Sequence, residues 1–163
     1  MADITQEEVK QAFNYADGAL TWAIRPANRV HIGDKAGFLD NQGYLRVRFK
    51  GKLWSVHQLV YLMFHGFVPE MIDHIDQDKT NNSIENLRSV TRAQNRYNCK
   101  ARRNSVSGVK NVHWHKPSGK YAVKIKANGI THHLGAFADL EFAELLAVEA
   151  RDKFHKQYAY LGA

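Results

Sequence analysis

The feature that most restricts the fold is the dipeptide Asn128-Gly129, which stands between two runs of alternating apolar and polar residues. Asn-Gly favours a two-residue hairpin turn, because both residues tolerate the positive φ angles that a type I′ turn requires. An alanine-rich, amphipathic segment follows the second run, so this part of the chain predicts a three-stranded antiparallel sheet packed on one helix. The predicted strands are residues 109–115, 121–127 and 131–137, and the predicted helix is 140–158.

In the first part of the chain, the sequence predicts a different order of elements, with short strands between helices. A capping box is expected at Thr5 and Glu8, because a threonine hydroxyl and a glutamate three residues later can satisfy two backbone amides at a helix start. In the run 44–49, apolar residues alternate with Arg46 and Arg48, so both arginines are expected to point outward. The predicted elements are a helix at 3–15, strands at 19–24, 36–39, 44–49 and 53–56, and helices at 57–64 and 91–101.

The polar segment 103–108 predicts a flexible linker, so we expect two domains, 1–104 and 105–163. The first would hold a β-rich N-terminal region and a core module at about 53–100, and the fold class would be α+β. Cys99 is the only cysteine, which excludes an intramolecular disulfide and any zinc site with several cysteines. No run approaches 18 consecutive apolar residues, so no membrane-spanning helix is expected.

Positive charge is concentrated in one part of the chain. Between Glu85 and Asp139 there is no acidic residue but there are eleven lysines and arginines, in a chain of formal net charge +7. Solvated surfaces usually mix both signs, because like charges repel one another. A one-signed stretch of this length predicts a polyanion as partner, and nucleic acid is the default candidate. A merely basic surface is the alternative.

Acidic residues gather instead in the segment 71–87, MIDHIDQDKTNNSIENL, where Asp73, Asp76 and Asp78 stand within six residues. Carboxylates this close repel one another unless a cation or hydrogen bonds hold them. The spacing excludes an EF-hand, because the sixth position counted from Asp73 is not glycine and the twelfth is not glutamate. A turn accounts for the later aspartate and asparagines. It does not account for His74 directly after Asp73.

Four short motifs occur in order in this region: DHID at 73–76, NN at 81–82, ENLR at 85–88 and TRAQN at 91–95. In order and spacing they resemble the HNH endonucleases of the His-Me finger superfamily, particularly the homing endonucleases of phages. The resemblance implies a ββα-metal nuclease module. The last residue of the motif is asparagine instead of the histidine for which the family is named, as in its homing branch.

The resemblance also implies a role for each site residue. His74 would be the general base, a task that suits histidine because it can accept a proton near neutral pH. Asp73 and Asn95 would hold one divalent cation, Mg²⁺ or Mn²⁺, which prefers hard oxygen ligands. Asn86 would accept a hydrogen bond from the imidazole and orient it, and His57 would be structural or contact phosphate. Taken singly, each of these residues could also be structural.

The C-terminal residues carry a second resemblance, in the runs 107–116, 119–125, 133–137 and 141–144. They resemble the Apetala-type DNA-binding domain, whose three-stranded sheet packs on one helix and enters the major groove. Asn111-Val112 stands where that family has Gly-Val, so the first turn is expected to differ. A solvated face is the alternative for the lysines. The candidate DNA contacts are Arg46, Arg48, Arg92, Arg96, Trp114, Lys116, Lys120, Lys124 and Lys126.

Together the resemblances, which span about 44–150, predict a metal-dependent endonuclease that nicks or cuts duplex DNA. The alternative is a non-catalytic DNA-binding regulator with a degenerate nuclease module. We expect double-stranded DNA as the partner, no membrane, no small-molecule cofactor, and a monomer on DNA as the working oligomeric state. If the chain is phage-encoded, it would act in the cytoplasm of a bacterial host. Because chemistry is placed at 73–95 and tethering at 107–150, a fragment ending near Asn104 is expected to keep cutting.

Overall fold

The structure is a computed structural model that describes residues 4–160. Contacts within the chain divide it into two compact units, one ending at Val90 and the other beginning at Thr91. The described residues form four helices and several small antiparallel sheets, so the mixed α and β content of the predicted fold class is confirmed. No helix within residues 4–160 is long and apolar enough to cross a membrane.

The first unit contains three small antiparallel sheets, β1 with β2, β3–β4–β5, and β6 with β7. Each sheet is built by strands that follow one another in the chain. Two-residue turns join β1 to β2 and β4 to β5, and a longer loop joins β6 to β7. The elements in chain order are α1 (Gln6–Ala12), β1 (Phe13–Ala16), β2 (Ala19–Trp22), β3 (Phe38–Leu39), β4 (Leu45–Phe49), β5 (Lys52–Ser55), α2 (Val56–His65), β6 (Ile72–His74), a 3₁₀ turn (Ile84–Asn86) and β7 (Leu87–Ser89).

Aromatic rings and the helix α2 form the core of the first unit. The ring of Phe13 lies 4.5 Å from that of Trp22 and 5.1 Å from that of Phe49, so the β1–β2 hairpin packs against β4. Leu59 and Val60 of α2 are completely buried. The helix ends at His65 with Gly66 as its C-cap, one residue beyond the predicted end at 64. The apolar side chains of α2 thus share one core with the strands that precede the segment 71–87.

The first helix is shorter than the sequence predicts. The capping box is confirmed, since the Thr5 side chain accepts from the Glu8 amide and the Glu8 carboxylate accepts from the Thr5 amide. The predicted end at residue 15 is wrong: α1 ends at Ala12, and the next four residues pair with β2. Cross-strand pairing outweighs helical spacing here, because the turn at 17–18 brings a partner strand back directly. The predicted start at Asp3 lies outside the described residues.

The second unit contains a three-stranded antiparallel sheet in the order β10–β9–β8, so the three predicted strands are present and paired. The Asn128-Gly129 turn has φ angles of 50° and 83°, as a hairpin of this kind requires. The elements in chain order are α3 (Arg92–Tyr97), β8 (Val112–His115), β9 (Lys120–Ala127), β10 (Ile130–Phe137), α4 (Leu140–His155) and a 3₁₀ turn (Lys156–Tyr158).

One face of this sheet packs on α4. Val112 and Val123 contribute completely buried side chains, which meet Ala143 and Ala147 of the helix. Small alanine side chains let the helix approach the sheet closely, as the alanine-rich pattern predicts.

The helix α3 belongs to the second unit, although the sequence places residues 91–101 in the first domain. It is shorter than predicted and is capped by Thr91, whose side chain accepts from the Gln94 amide. Its end is held by Lys110, which lies beyond the predicted linker. The boundary between compact units therefore differs from 104/105, because local hydrogen bonds tie α3 to the chain that follows it. The division into functional domains at 104/105 stays a prediction.

Candidate functional site

The strands β6 and β7 bring the first two site residues together with Arg88. Asp73 is the direct cross-strand neighbour of Arg88, and His74 is that of Leu87. Asp73 is 7% exposed, and a buried carboxylate needs a partner to offset lost hydration. Arg88 supplies it, since Nε and Nη2 donate to Oδ2 at 2.9 and 2.7 Å. The hairpin therefore presents a paired carboxylate beside a histidine.

His74 is 5% exposed, and its orientation is set by Asn82, which is also buried. The ring atom Nε2 lies 3.0 Å from Oδ1 of Asn82. The Asn82 amide is oriented by its own bond, because Nδ2 donates to the carbonyl of Thr80 at 3.1 Å. Oδ1 can only accept, so Nε2 carries the proton in this contact. In the neutral ring, Nδ1 then holds the lone pair that can receive a proton.

The remaining acidic residues form the loop that carries Asn82. Asp76 accepts from the amide of Asp78 at 2.8 Å and from the side chains of Asn81 and Asn86 at 2.6 and 2.8 Å. Desolvation raises the pKa of Asp76, but the hydrogen bonds from Asn81 and Asn86 outweigh it and lower the pKa below its usual value. Hydrogen bonds thus offset the repulsion between these carboxylates.

Asn86 takes part in this loop and not in the contact to Nε2. Its Oδ1 accepts from the Asp76 amide at 3.0 Å, and its Nδ2 donates to Asp76 and to the carbonyl of Asn81. The residue that faces Nε2 of His74 is Asn82, and the role that the resemblance gives to Asn86 stays a prediction. The sequence reasoning missed Asn82, although the pair at 81–82 is part of the motif. Spacing alone does not say which amide reaches the ring.

Two further rings lie against His74. His57, at the start of α2, has its ring centroid 5.2 Å from that of His74, perpendicular to it, and Tyr44 lies 5.5 Å from His57. Burial lowers the pKa of His57 to about 4, and positive charge at His74 and Arg46 lowers it further. His57 is therefore neutral at physiological pH. If His74 takes up a proton, the His57 ring beside it adds no second positive charge.

The depressed pKa of His57 predicts a loss of stability in acid. Between its ordinary pKa of 6.5 and about 4, the unfolded chain binds a proton at His57 and the folded chain does not. Stability therefore falls as the pH is lowered through this window, by about 3 kcal/mol at full effect. Urea unfolding at pH 7, 5.5 and 4 should show this drop, and His57→Gln should flatten it. An equal drop in His57→Gln and the wild type would contradict the assignment, and the exposed His31, changed to Gln, is the control.

A divalent cation would have to use hard oxygen donors at this site. No group of three or more His, Cys, Asp or Glu side chains within residues 4–160 is arranged to hold a metal ion. The predicted pair, Asp73 and Asn95, consists of one carboxylate and one amide, which suits a cation that keeps several waters and binds substrate phosphate. Arg88 donates to Oδ2 of Asp73, so a cation held by Asp73 would share this carboxylate with the guanidinium. Asn95 lies on α3, in the other unit.

The predicted DNA contacts in the first unit differ in their freedom to reach a ligand. Arg46 is half-buried, with Nε donating to Asp40 at 2.9 Å and Nη1 to the Ser55 hydroxyl at 2.7 Å, so it is not simply outward-facing. Arg48, on the same strand, is exposed as the alternation predicts. Arg48 is therefore the better placed of the two for an external anion.

In the second unit, the strand register places three predicted contacts on one face. Lys120, Lys124 and Lys126 share a side of β9, opposite the buried Val123. Cross-strand pairing adds three histidines to the same face, which the sequence reasoning did not include. We call these six residues the basic face: Lys120, Lys124, Lys126, His113, His115 and His133.

Trp114 lies on the opposite side of the sheet from the basic face. It is the cross-strand neighbour of Tyr121, and their rings meet edge to face at 4.9 Å. Its exposed fraction of 41% leaves it accessible at the sheet edge. Lys116 lies in the exposed turn between β8 and β9. The predicted contacts of this unit therefore do not form a single surface.

Trp114 lines a cleft of about 880 Å³ within the second unit. The described residues around it include no aspartate or glutamate, whereas Arg96, Lys100 and Arg102 all contribute. Burial, followed by the charges of Lys124 and Arg102, lowers the pKa of His113, which also lines the cleft. The cleft therefore has the chemistry of an anion site. The sequence signal for this cleft was the run of lysines and arginines without aspartate or glutamate. Only the folded structure brings those side chains around one cleft.

Comparison with known proteins supports the first of the two resemblances. Residues 55–97 match the HNH endonuclease family, a segment that contains Asp73, His74 and Asn95. An uncharacterised HNH endonuclease of Acanthamoeba polyphaga mimivirus is 33% identical over 100 residues, covering 60% of this chain and 50% of the viral protein. Protein 3.8 of Escherichia phage T7 is 29% identical over 107 residues, covering 63% of this chain and 86% of that protein.

The chain thus spans about half the length of the mimivirus relative. No solved structure matches it. Residues 55–97 carry an HNH endonuclease domain, and both relatives are viral, as the resemblance implies. The Apetala-type resemblance of the C-terminal residues has no counterpart among these matches and stays a prediction.

Proposed function

We propose that this chain is an HNH endonuclease that hydrolyses phosphodiester bonds in duplex DNA. The observation that carries the proposal is the burial of His74, within the matched domain, together with the contact that sets its tautomer. The ring is buried, and its Nε2 is held by Asn82 at 3.0 Å. Buried histidines are hydrogen-bonded whatever their role, but this contact places the proton on Nε2 and leaves Nδ1 as the basic atom, which is the tautomer a general base needs.

In this reaction His74 Nδ1 takes a proton from water while the water oxygen attacks phosphorus. The bond from phosphorus to the 3′ oxygen breaks, and the charge that develops on that oxygen must be stabilised. Neutral His57 beside the ring allows His74 to hold the proton without repulsion from a second cation. The chain therefore supplies a base whose orientation and charge environment are both arranged in advance.

The proposed cation is Mg²⁺ or Mn²⁺, held by Asp73 and Asn95. When bound, it would neutralise charge on the phosphate in the transition state. Arg88 pairs with Asp73 and limits the directions in which its carboxylate can turn. Asn86 serves the site indirectly, because it builds the loop from which Asn82 reaches His74.

Double-stranded DNA is the proposed substrate, and the second unit offers two surfaces for it. The basic face carries three lysines, and the cleft beside Trp114 carries four further lysines and arginines with no described acid among its lining residues. Such surfaces bind phosphate by releasing counterions. A major-groove contact for the sheet, by analogy with the Apetala-type domain, is part of this proposal.

The second candidate is a DNA-binding regulator that does not cut. The pairing of Asp73 with Arg88 favours it to some degree, since a guanidinium already neutralises the proposed metal ligand. Supercoiled plasmid incubated with Mg²⁺, with Mn²⁺, and with EDTA separates the two. Conversion to relaxed or linear DNA only with metal supports the nuclease. Binding without conversion under all metal conditions supports the regulator.

The basic face predicts the salt dependence of DNA binding. Changing Lys124 and Lys126 together to Met removes two phosphate contacts, so the slope of log affinity against log salt should fall by about two. Fluorescence anisotropy with a 20-bp duplex over a salt titration measures this slope. Lys153→Met, on the exposed side of α4, removes one charge without a predicted contact and should leave the slope unchanged. Equal slopes in all three proteins would exclude the basic face from binding.

A further inference from the structure

The helix α3 carries Asn95 but has little of its own to hold it in place. It is six residues long, and none of its side chains is buried. Isolated helices of this length are unstable, because nucleation costs more than one turn of hydrogen bonds returns. Thr91 caps the N-terminal end. The position of Asn95 therefore depends on what holds the C-terminal end.

Lys110 holds that end. Its Nζ donates to the backbone carbonyls of Arg96, at 3.2 Å, of Tyr97, at 2.8 Å, and of Cys99. The C-terminal end of a helix has carbonyls without intrahelical partners and a partial negative charge. An ammonium group can donate to those carbonyls and offset that charge. The three carbonyls use all three donors of the ammonium. This arrangement has no role in the proposed chemistry as described so far.

Lys110 is in turn fixed by α4. Its own carbonyl accepts from Nη1 of Arg151 at 2.8 Å, and Arg151 is 2% exposed. Burial lowers the pKa of Lys110 to about 8, because the ammonium group loses hydration where it contacts the carbonyls. At neutral pH the group is still mainly protonated and can donate all three bonds.

Tyr97, the last residue of α3, adds contacts to the same unit. Its ring stacks on that of His155 with centroids 3.7 Å apart and planes 4° from parallel. Its carbonyl accepts from the amide of Tyr160 at 3.0 Å, and its hydroxyl accepts from the amide of Asn128 at 3.3 Å. The end of α3 is thus tied to α4, to the chain after it and to the β9–β10 turn.

We propose that Lys110 is a positioning residue of the nuclease, which fixes α3 and thereby the placement of Asn95. This inference rests on the proposed function, in which Asn95 is a metal ligand. It also replaces the expectation that a fragment ending near Asn104 keeps cutting, because that fragment lacks Lys110 and α4.

The test uses the full chain with Lys110→Met, which keeps most of the side-chain volume and removes the three donors. The Mg²⁺ concentration for half-maximal plasmid cleavage should rise at least tenfold. Lys153→Met, an exposed site on α4 with the same loss of charge, should leave this concentration unchanged. A second measurement is hydrogen exchange of the amides of Asn98 and Cys99, which bond to carbonyls within α3. Lys110→Met should speed their exchange.

The outcomes separate the two proposals. An active wild type with unchanged metal dependence in Lys110→Met would overturn the positioning role, even if exchange became faster. Unchanged exchange would show that Lys110 does not hold α3 and would overturn it as well. If the wild type neither cuts DNA nor binds Mn²⁺ by calorimetry, the proposed function itself fails. Should Lys110→Met not fold, Tyr97→Leu loosens the same end by a different contact and must shift the metal dependence in the same direction.

Discussion

Replacing His74 with alanine is expected to slow DNA cleavage by about 10² to 10⁴-fold, the range usual for removing a general base. DNA affinity should change little, because His74 is 5% exposed and acts in the chemistry. Single-turnover cleavage of a labelled duplex at saturating protein measures the rate, and anisotropy with the same duplex measures the affinity. A cleavage rate near that of the wild type would remove His74 from the mechanism.

Two further variants guard against loss of structure in the His74→Ala protein. His74→Gln retains a polar group opposite Asn82 and fills more of the space, yet should be as inactive because it cannot take up a proton. The exposed His31, changed to Ala, is a matched control for loss of a histidine and should cut at the wild-type rate. Unfolding midpoints of all variants must stay well above the assay temperature.

Replacing Asp73 with asparagine is expected to remove metal-dependent cleavage at every Mg²⁺ concentration tested. Alanine is the poorer choice, because it would leave the guanidinium of Arg88, whose side chain is 16% exposed, without its carboxylate. Breaking such a buried pair can cost about 3 to 5 kcal/mol and could unfold the domain. Asparagine keeps the shape and one oxygen for Arg88 but loses the charge that attracts the cation. A full rescue by raised Mg²⁺ would make Asp73 a peripheral ligand.

Asp40→Asn is the matched control for Asp73→Asn. Asp40 forms a comparable ion pair with Arg46, at 2.9 Å, in the same unit, and is not a proposed metal ligand. Its substitution should lower stability without changing the Mg²⁺ concentration for half-maximal cleavage. A similar change in metal dependence for both variants would show that any lost ion pair in this unit has the effect, and Asp73 would lose its special role.

Local signals in the sequence predicted much of the secondary structure correctly. The Asn128-Gly129 turn, the alternation of 44–49 and the end of α2 at Gly66 each depend on neighbouring residues only. Where two local signals competed, the sequence was ambiguous. Residues 13–15 have helical spacing, but they pair with β2 because a tight turn follows immediately.

Site residues were predictable to the extent that a motif names them. The motif pointed to Asp73 and His74, and the structure places both on β6. It did not indicate that Asn82, and not Asn86, faces Nε2 of His74, since both amides lie in the same loop. Nor could it indicate Lys110, whose role depends on three carbonyls from the end of another element.

The sequence by itself thus determined the three-stranded C-terminal sheet with its Asn128-Gly129 turn, the one-signed charge of residues 86–138, and the residue types that match an HNH domain at 55–97. These properties follow from short-range chemistry or from composition, which folding does not alter. The tertiary structure decided which amide orients His74, that Arg88 pairs with Asp73, and that Lys110 holds the end of α3. Hydrogen bonds and burial depend on distances between residues far apart in the chain, and only the folded chain sets those distances.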